Sequence, residues 1–259
     1  NDSTTLRTSL DYQNNDANGT SYGHIPLFYN NGRQTDFSRS LNPATRSSYM
    51  DNTSYTFPTM LDHKLENDWS LKTAYSHQYS YRKGQGASPS GSYPDPITGQ
   101  GAKAFIYRLD SYQTQDTLDG YANGPFQLGG REHELVVGAS TSHTHLNFPN
   151  YSSTLAGQDN DYGDVDNIFT WDGRQYGRRS YNEVGGAVTT LQQTGVYGAL
   201  RLKPMDPLTL ILGTRVRWWK QLDEVTEYAP YSQKTDKTKK TGVVTPYAGI
   251  IYDLNATYP

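Results

Sequence analysis

Along residues 207–221, "PLTLILGTRVRWWKQ", apolar and polar positions alternate. Leu208, Leu210, Leu212, Val216 and Trp218 fall on one side of an extended chain; Thr209, Ile211, Gly213, Arg215, Arg217 and Trp219 fall on the other. A period of two predicts a β-strand with one greasy and one wet face. The preceding segment 191–203, "LQQTGVYGALRLK", behaves alike, with Val196, Leu200 and Leu202 opposite Gln193, Tyr197 and Arg201. Between them "KPMDP" is short, and Pro204 and Pro207 cannot sit inside a ladder, so the two strands predict a hairpin. The unit recurs: "YTFPTMLDHKL" and "WSLKTAYSHQYSYR" across "ENDW", then "QTQDTLDGYANGPF" and "HELVVGASTSHTHL" across "QLGGRE". With "TTLRTSLDYQ" first and "VVTPYAGIIYDL" last, the pattern predicts an all-β antiparallel meander of about eight strands.

The remaining connections are long, roughly 13–48, 83–102, 149–186 and 221–241, and rich in Tyr, Asn, Asp, Gly, Ser or Pro. Short turns at one end and long loops at the other are the layout of an outer-membrane barrel. Soluble sandwiches and propellers keep most connections short. No fixed-period repeat or linker divides the chain, so residues 1–259 are expected to form one domain.

Composition supports this. Apolar residues make up 34%, while tyrosine reaches 22 copies against 7 Phe and 4 Trp, which suits strands whose aromatics meet both water and an apolar medium. Cysteine is absent, against a disulfide scaffold, and a net charge of −3 argues against general nucleic-acid binding. The start, Asn1-Asp2-Ser3-Thr4, is polar and does not read as a signal peptide. No apolar run approaches the ~18 residues of a transmembrane helix, but a barrel strand needs only about 9–11 alternating ones.

Five segments then carry a family resemblance: "IPLFYNNGRQTDFSRSLNPATR" (25–46), "DWSLKTAYSHQ" (68–78), "YQTQDTLDGYANGPFQLGGREHELVVGAS" (112–140), "TGVYGALRLKPMDPLTLILGTRVRWWK" (194–220) and "TPYAGIIYDLNATY" (245–258). In this order they resemble TonB-dependent siderophore receptors, nearest the group taking up ferric pyoverdine, coprogen and other hydroxamate siderophores. The resemblance implies a segment of a 22-stranded outer-membrane barrel with long extracellular loops, its lumen plugged. It implies a ferric siderophore as ligand, no cofactor, outer-membrane lipid and lipopolysaccharide around the barrel, and TonB acting through a plug. The match covers only early-to-middle barrel strands, without plug or TonB box. Thr257 and Tyr258 look like the start of another strand, so the chain is expected to be part of a longer receptor.

Trp69, Trp218 and Tyr252 share apolar-face parity near strand ends, where a membrane-interface girdle belongs. Trp219 has lumen parity with Arg217 and Arg215 below it, Tyr107 has lumen parity near the outer end of its strand, and Trp171 lies in a long loop. Aromatic rings supply area for a bulky chelate and Arg supplies charge-assisted hydrogen bonds to its oxygens. Trp219, Arg217, Tyr107 and Trp171 are therefore the candidate siderophore contacts; the alternative is lumen packing. Asp159, Asp161, Asp164 and Asp166 have calcium-loop spacing, but position 170 is Thr where the loop requires Glu, so a solvated acidic loop is the expectation. "KTDKTKK" (234–240) suits lipopolysaccharide phosphates or a solvated loop. His143 and His145 share a face without an evident third metal ligand, and no catalytic triad order or Walker loop points to an enzyme. Rival readings are a passive porin, which needs opposed charge rings, and a soluble Tyr-rich carbohydrate-binding domain, which needs no lipid-facing stripe.

Overall fold

The computed structural model describes residues 3–22, 25–153 and 162–254. The strands are β1 (Thr4–Thr8), β2 (Asp11–Asn18), β3 (Tyr49–Lys64), β4 (Ser70–Ser88), β5 (Lys103–Arg108), β6 (Ser111–Leu128), β7 (Arg131–Ser153), β8 (Tyr162–Asp164), β9 (Tyr181–Met205), β10 (Leu208–Tyr228) and β11 (Tyr231–Tyr252). All pairs are antiparallel, in the order β1-β3-β4-β6-β7-β9-β10-β11. β1 and β2 follow each other along β3, and β5 and β6 along β4. Merging each of these two pairs and setting aside β8 leaves the expected eight wall strands in meander order. The sheet is open: no pairing joins β1 or β2 to β11 among the described residues.

Turn chemistry fixes the short end. Gly129 and Gly130 connect β6 to β7 with φ of 60° and 75°. Two consecutive positive φ values define the turn that matches strand twist, and glycine adopts them freely. Asp206 and Pro207 connect β9 to β10. At the other end, the expected loop 221–241 is instead strand. β10 and β11 stay paired from Trp219↔Lys240 to Tyr228↔Tyr231. The sequence there shows no apolar alternation because both faces are wet, and ladder hydrogen bonds hold it together with polar side-chain contacts such as Thr189 to Asp223 and Ser232 to Glu227.

One face is apolar over a limited height. Leu210 stands in register with Leu202 and Ile250, Leu212 with Leu200 and Ala248, Val216 with Val196 and Val244. Many of these side chains are exposed, Leu212 at 46% and Ile250 at 74%. Such a continuous exposed stripe marks an apolar environment rather than water. At the short-turn end Trp69 lies over Gly124, its Nε1–H donating to the Pro125 carbonyl at 3.1 Å, and Tyr252 faces Leu208. Trp218 closes the band ten residues up β10 from Leu208. Ten residues rise about 33 Å along a strand and, at ~45° tilt, about 23 Å in height, close to the apolar belt of an outer-membrane barrel.

The wall has no interior of its own. The buried apolar cluster of Ala87, Ala102, Ala104, Ile106, Val165, Ile168, Trp171 and Tyr176, with Phe37, Leu41 and Tyr181 against it, lies in the outer connections and the strand ends that carry them. There β4 pairs with β5 through Gln85–Ser88, and β8 adds to the free side of β5. The long connections thus form a packed layer beyond the apolar band. The strand start expected at Thr257 and Tyr258 lies outside the described residues, as do Asp159 and Asp161 of the acidic loop.

Candidate functional site

The polar face is built by long side chains lying flat across glycines. Tyr197 crosses Gly138 and donates from Oη to both carboxylate oxygens of Asp119 at 3.2 Å. Arg215 crosses Gly195, donates from Nη2 to Ser140 Oγ at 2.9 Å, and holds its guanidinium 6.0 Å from the Tyr197 ring. Arg201 pairs with Glu134 at 3.3 Å. This face carries a hollow of about 310 Å³ between Met60, Asp119, Ser140 and Arg215. A Cβ at Gly138 would sit 2.4 Å from the Tyr197 ring. In the full-length receptor, Gly138→Val is therefore expected to lift Tyr197 off Asp119 and destabilise the barrel by about 1–3 kcal/mol, checked by chemical denaturation. An unchanged midpoint would show that the flat packing is dispensable.

Arg217 and Trp219 lie in two neighbouring cross-strand rows of this face. Arg217 leads through Gly195 and Ser140 to Asp119, and Trp219 through Gln193 and Ser142 to Thr117. Arg217 is exposed and Trp219 half-buried. The structure thus brings these two predicted residues together, beside the hollow.

Tyr107 has the same inward parity farther out, but its ring is buried at 4% exposure. It lies over Gly86 opposite it on β4, stacks with Phe105 at 5.9 Å, and accepts a hydrogen bond at Oη from the Tyr22 backbone at 3.0 Å. Burial pushes its phenol pKa up. Tyr22 covers it with ring centroids 5.8 Å apart and is itself 57% exposed. Tyr22, which the sequence did not single out, is the ring presented on that side. Its only sequence signal was membership of a Tyr-rich loop. Next to it Arg108 is held by buried Asp110 at 2.7 Å, and that hydrogen bond raises the guanidinium pKa further.

Trp171 is on the reverse side of the small β4–β5–β8 sheet. Ile106 alternates with Tyr107 along β5, and Trp171 packs in the cluster with Ile106, Ala104 and Ala87. Its Nε1–H has no partner among the described residues. It borders a hollow of about 470 Å³ that includes Asn42, Arg46 and Asp172. Trp171 is therefore not brought to Arg217 and Trp219. In the acidic loop, Lys103 pairs with Asp164 at 3.0 Å and Gln175 reaches Asp166 at 3.3 Å. No group of three metal-ligating side chains occurs among the described residues.

The chain is similar to known receptors over nearly its whole length. It is 32% identical to the ferric-pyoverdine BN7/BN8 receptor of Pseudomonas putida across 98% of this chain and 31% of that one. It is 32% identical to the ferripyoverdine receptor of Pseudomonas aeruginosa across 100% of this chain and 30% of that one. The crystal structure of that outer-membrane receptor bound to ferripyoverdine superposes with a TM-score of 0.82 at 30% identity, over 98% of this chain and 32% of the other. The chain thus spans about a third of the length of these relatives. The family described as TonB dependent receptor-like, beta-barrel, matches residues 1–258. An open antiparallel wall with a membrane-height apolar belt, a polar inner face and a packed layer of outer loops is what that match requires: the chain belongs to the TonB-dependent receptor β-barrel family, in the bacterial outer membrane.

Proposed function

We propose that this chain is barrel wall of a receptor that imports a ferric siderophore of the pyoverdine class through the outer membrane, as a transporter and not an enzyme. It forms a single barrel domain over residues 1–259, completed in the whole receptor by further strands and a plug. Uptake draws on TonB through that plug, the apolar belt contacts membrane lipid, and lipopolysaccharide surrounds the outer rim. The siderophore is cargo, and no cofactor takes part.

The observation that supports this most is the placement of Arg217 and Trp219 on the inward face at the outer edge of the apolar belt. Arg217 offers a charged donor fork to chelate oxygens, and Trp219 offers a flat apolar surface to the chelate. Tyr107 acts by seating Tyr22, and Trp171 by holding the loop layer in place. In the full-length receptor, Trp219→Ala and Arg217→Ala are each expected to weaken binding of iron-loaded pyoverdine about tenfold or more, measured on whole cells with radioactive iron. Wild-type affinity in both variants would remove these residues from the site. Iron uptake that persists after collapse of the inner-membrane proton gradient would overturn the TonB-dependent reading.

A further inference from the structure

The inward face changes character at the outer end of β2, β3, β4 and β6. Trp219's row runs through Gln193, Ser142 and Thr117 to Ser76 on β4. Two rows farther out stand Gln13, Ser54, Ser80 and Gln113, each opposite the next. The row beyond them holds Asn15, Asn52, Arg82 and Ser111. In the first of these rows two short serines form a floor between two long amides, and a hollow of about 800 Å³ opens over both rows. Farther out on β4 the inward positions are Gly84, covered by the Met50 side chain, and Gly86, under Tyr107. The groove thus ends at the Tyr107–Tyr22 pair.

Charge and hydrogen bonding define what this groove takes. Arg82 is the one charged side chain in the two rows, and its Nε donates to Asn52 Oδ1 at 3.0 Å. At the short-turn end the same face is charged: Arg7 pairs with Asp62, Lys72 lies 3.9 Å from that carboxylate, and Arg201 pairs with Glu134. In the groove, Gln13, Asn15, Ser54, Ser80 and Ser111 make no side-chain hydrogen bond among the described residues. Each amide carries both donors and an acceptor, and each hydroxyl can play either part. Such groups match a chain of amides and hydroxyls without net charge; they select neither an anion nor a cation. Each neutral hydrogen bond contributes modestly on its own, which suits a ligand that must leave again.

Position connects the groove to the candidate contacts. From β10 to β6 is three strand spacings, about 14 Å, and two rows are four residues, about 13 Å along the strand. A single compact chelate held at Trp219 and Arg217 does not reach it; a chain extending from that chelate does. We propose that this groove binds the uncharged, amide- and hydroxyl-bearing chain of the siderophore, the part that does not hold iron, and that Gln13, Asn15 and Gln113 determine which siderophore is accepted. Polar groups satisfied by one chain are left unpaired against another, and that mismatch discriminates more strongly than a lost apolar contact. The proposal rests on the siderophore reading above and extends it from the chelate to the rest of the ligand.

The test uses the full-length receptor containing this segment, with Gln13→Met, Asn15→Leu and Gln113→Met combined, which nearly keeps side-chain size and removes the amides. Binding is measured for two iron-loaded pyoverdines that share their iron-holding groups and differ in the remaining chain. Wild type is expected to favour one by about tenfold or more, and the triple variant to bring the two affinities within about threefold, chiefly by weakening the favoured one. Ser54→Phe, which fills the floor, should abolish the preference as well. Gln127→Met, inward at the short-turn end, should leave both affinities unchanged. The melting temperature of the ligand-free triple variant should stay at the wild-type value. A preference retained in the triple variant, or wild type without one, would overturn the groove as the selecting part of the site. So would equal weakening of both ligands together with a lowered melting temperature, the result expected if a folded plug occupies the groove. Wild type that binds neither pyoverdine would instead sink the siderophore reading itself.

Discussion

Produced on its own, the 259-residue chain fails to insert stably into a bilayer. Its sheet ends at β1 with β2 on one side and at β11 on the other. Within the apolar belt, residues 244–252 of β11 present the backbone groups of every second residue to lipid. That leaves roughly ten unpaired groups at several kcal/mol each, a penalty on the order of tens of kcal/mol that no side chain here offsets. The inward Arg215 and Arg217 also lose whatever fills the lumen. The expected product is aggregated or alkali-extractable, with no heat-modifiable folded band on a gel, and it does not restore growth on ferric siderophore to a receptor-deficient strain. Closure into a small barrel is the competing outcome, since eight strands is a permitted number. A protease-resistant inserted species with crosslinks between residues 4–12 and residues 243–252 would establish that closure and refute the open wall.

Leu212→Arg in the full-length receptor is expected to lower folding free energy by about 2–4 kcal/mol. Leu212 sits near the middle of the belt that runs from Leu208 to Trp218, outward, with Leu200 and Ala248 beside it. A guanidinium there meets hydrocarbon. Ile211→Arg, one residue away but inward, is expected to cost only about 1 kcal/mol, because that face is wet and the main penalty is the like charge of Arg201 directly opposite. Reversible unfolding in lipid vesicles measures both. Equal penalties at the two positions would mean that the faces have been assigned wrongly, since a one-residue slip exchanges them.

The eight wall strands were legible because the membrane imposes a strict code on them. In the belt, every second residue must be apolar, and Leu208 to Trp218 obey it almost without exception. Above the belt the code lapses. "KTDKTKK" reads as a loop, yet it is paired strand, since with water on both faces hydrogen bonding decides. The strand β8 was invisible for a related reason: it is three residues long and exists as an addition to the free side of β5. At the candidate site, parity placed Arg217 and Trp219 correctly on one face. It also gave Tyr107 the right side but not its burial, which depends on Tyr22, 85 positions away in sequence. Trp171 carried no periodicity to betray its side, and its place follows from loop packing against Ile106.

The tangential side chains on the inner face also set the bore. Tyr197 over Gly138, Arg215 over Gly195 and Tyr247 over Gly213 spend their length along the wall instead of toward the barrel axis. Three of the longest inward residues therefore take little radius from the channel. A bulky chelate, or a folded domain that must shift to let it pass, meets at these positions a flat lining in which Tyr197 and Arg215 already have hydrogen-bond partners. Clearance of this kind depends on glycines that touch no ligand, so substitutions there would slow passage through the barrel while leaving the entrance and its affinity intact.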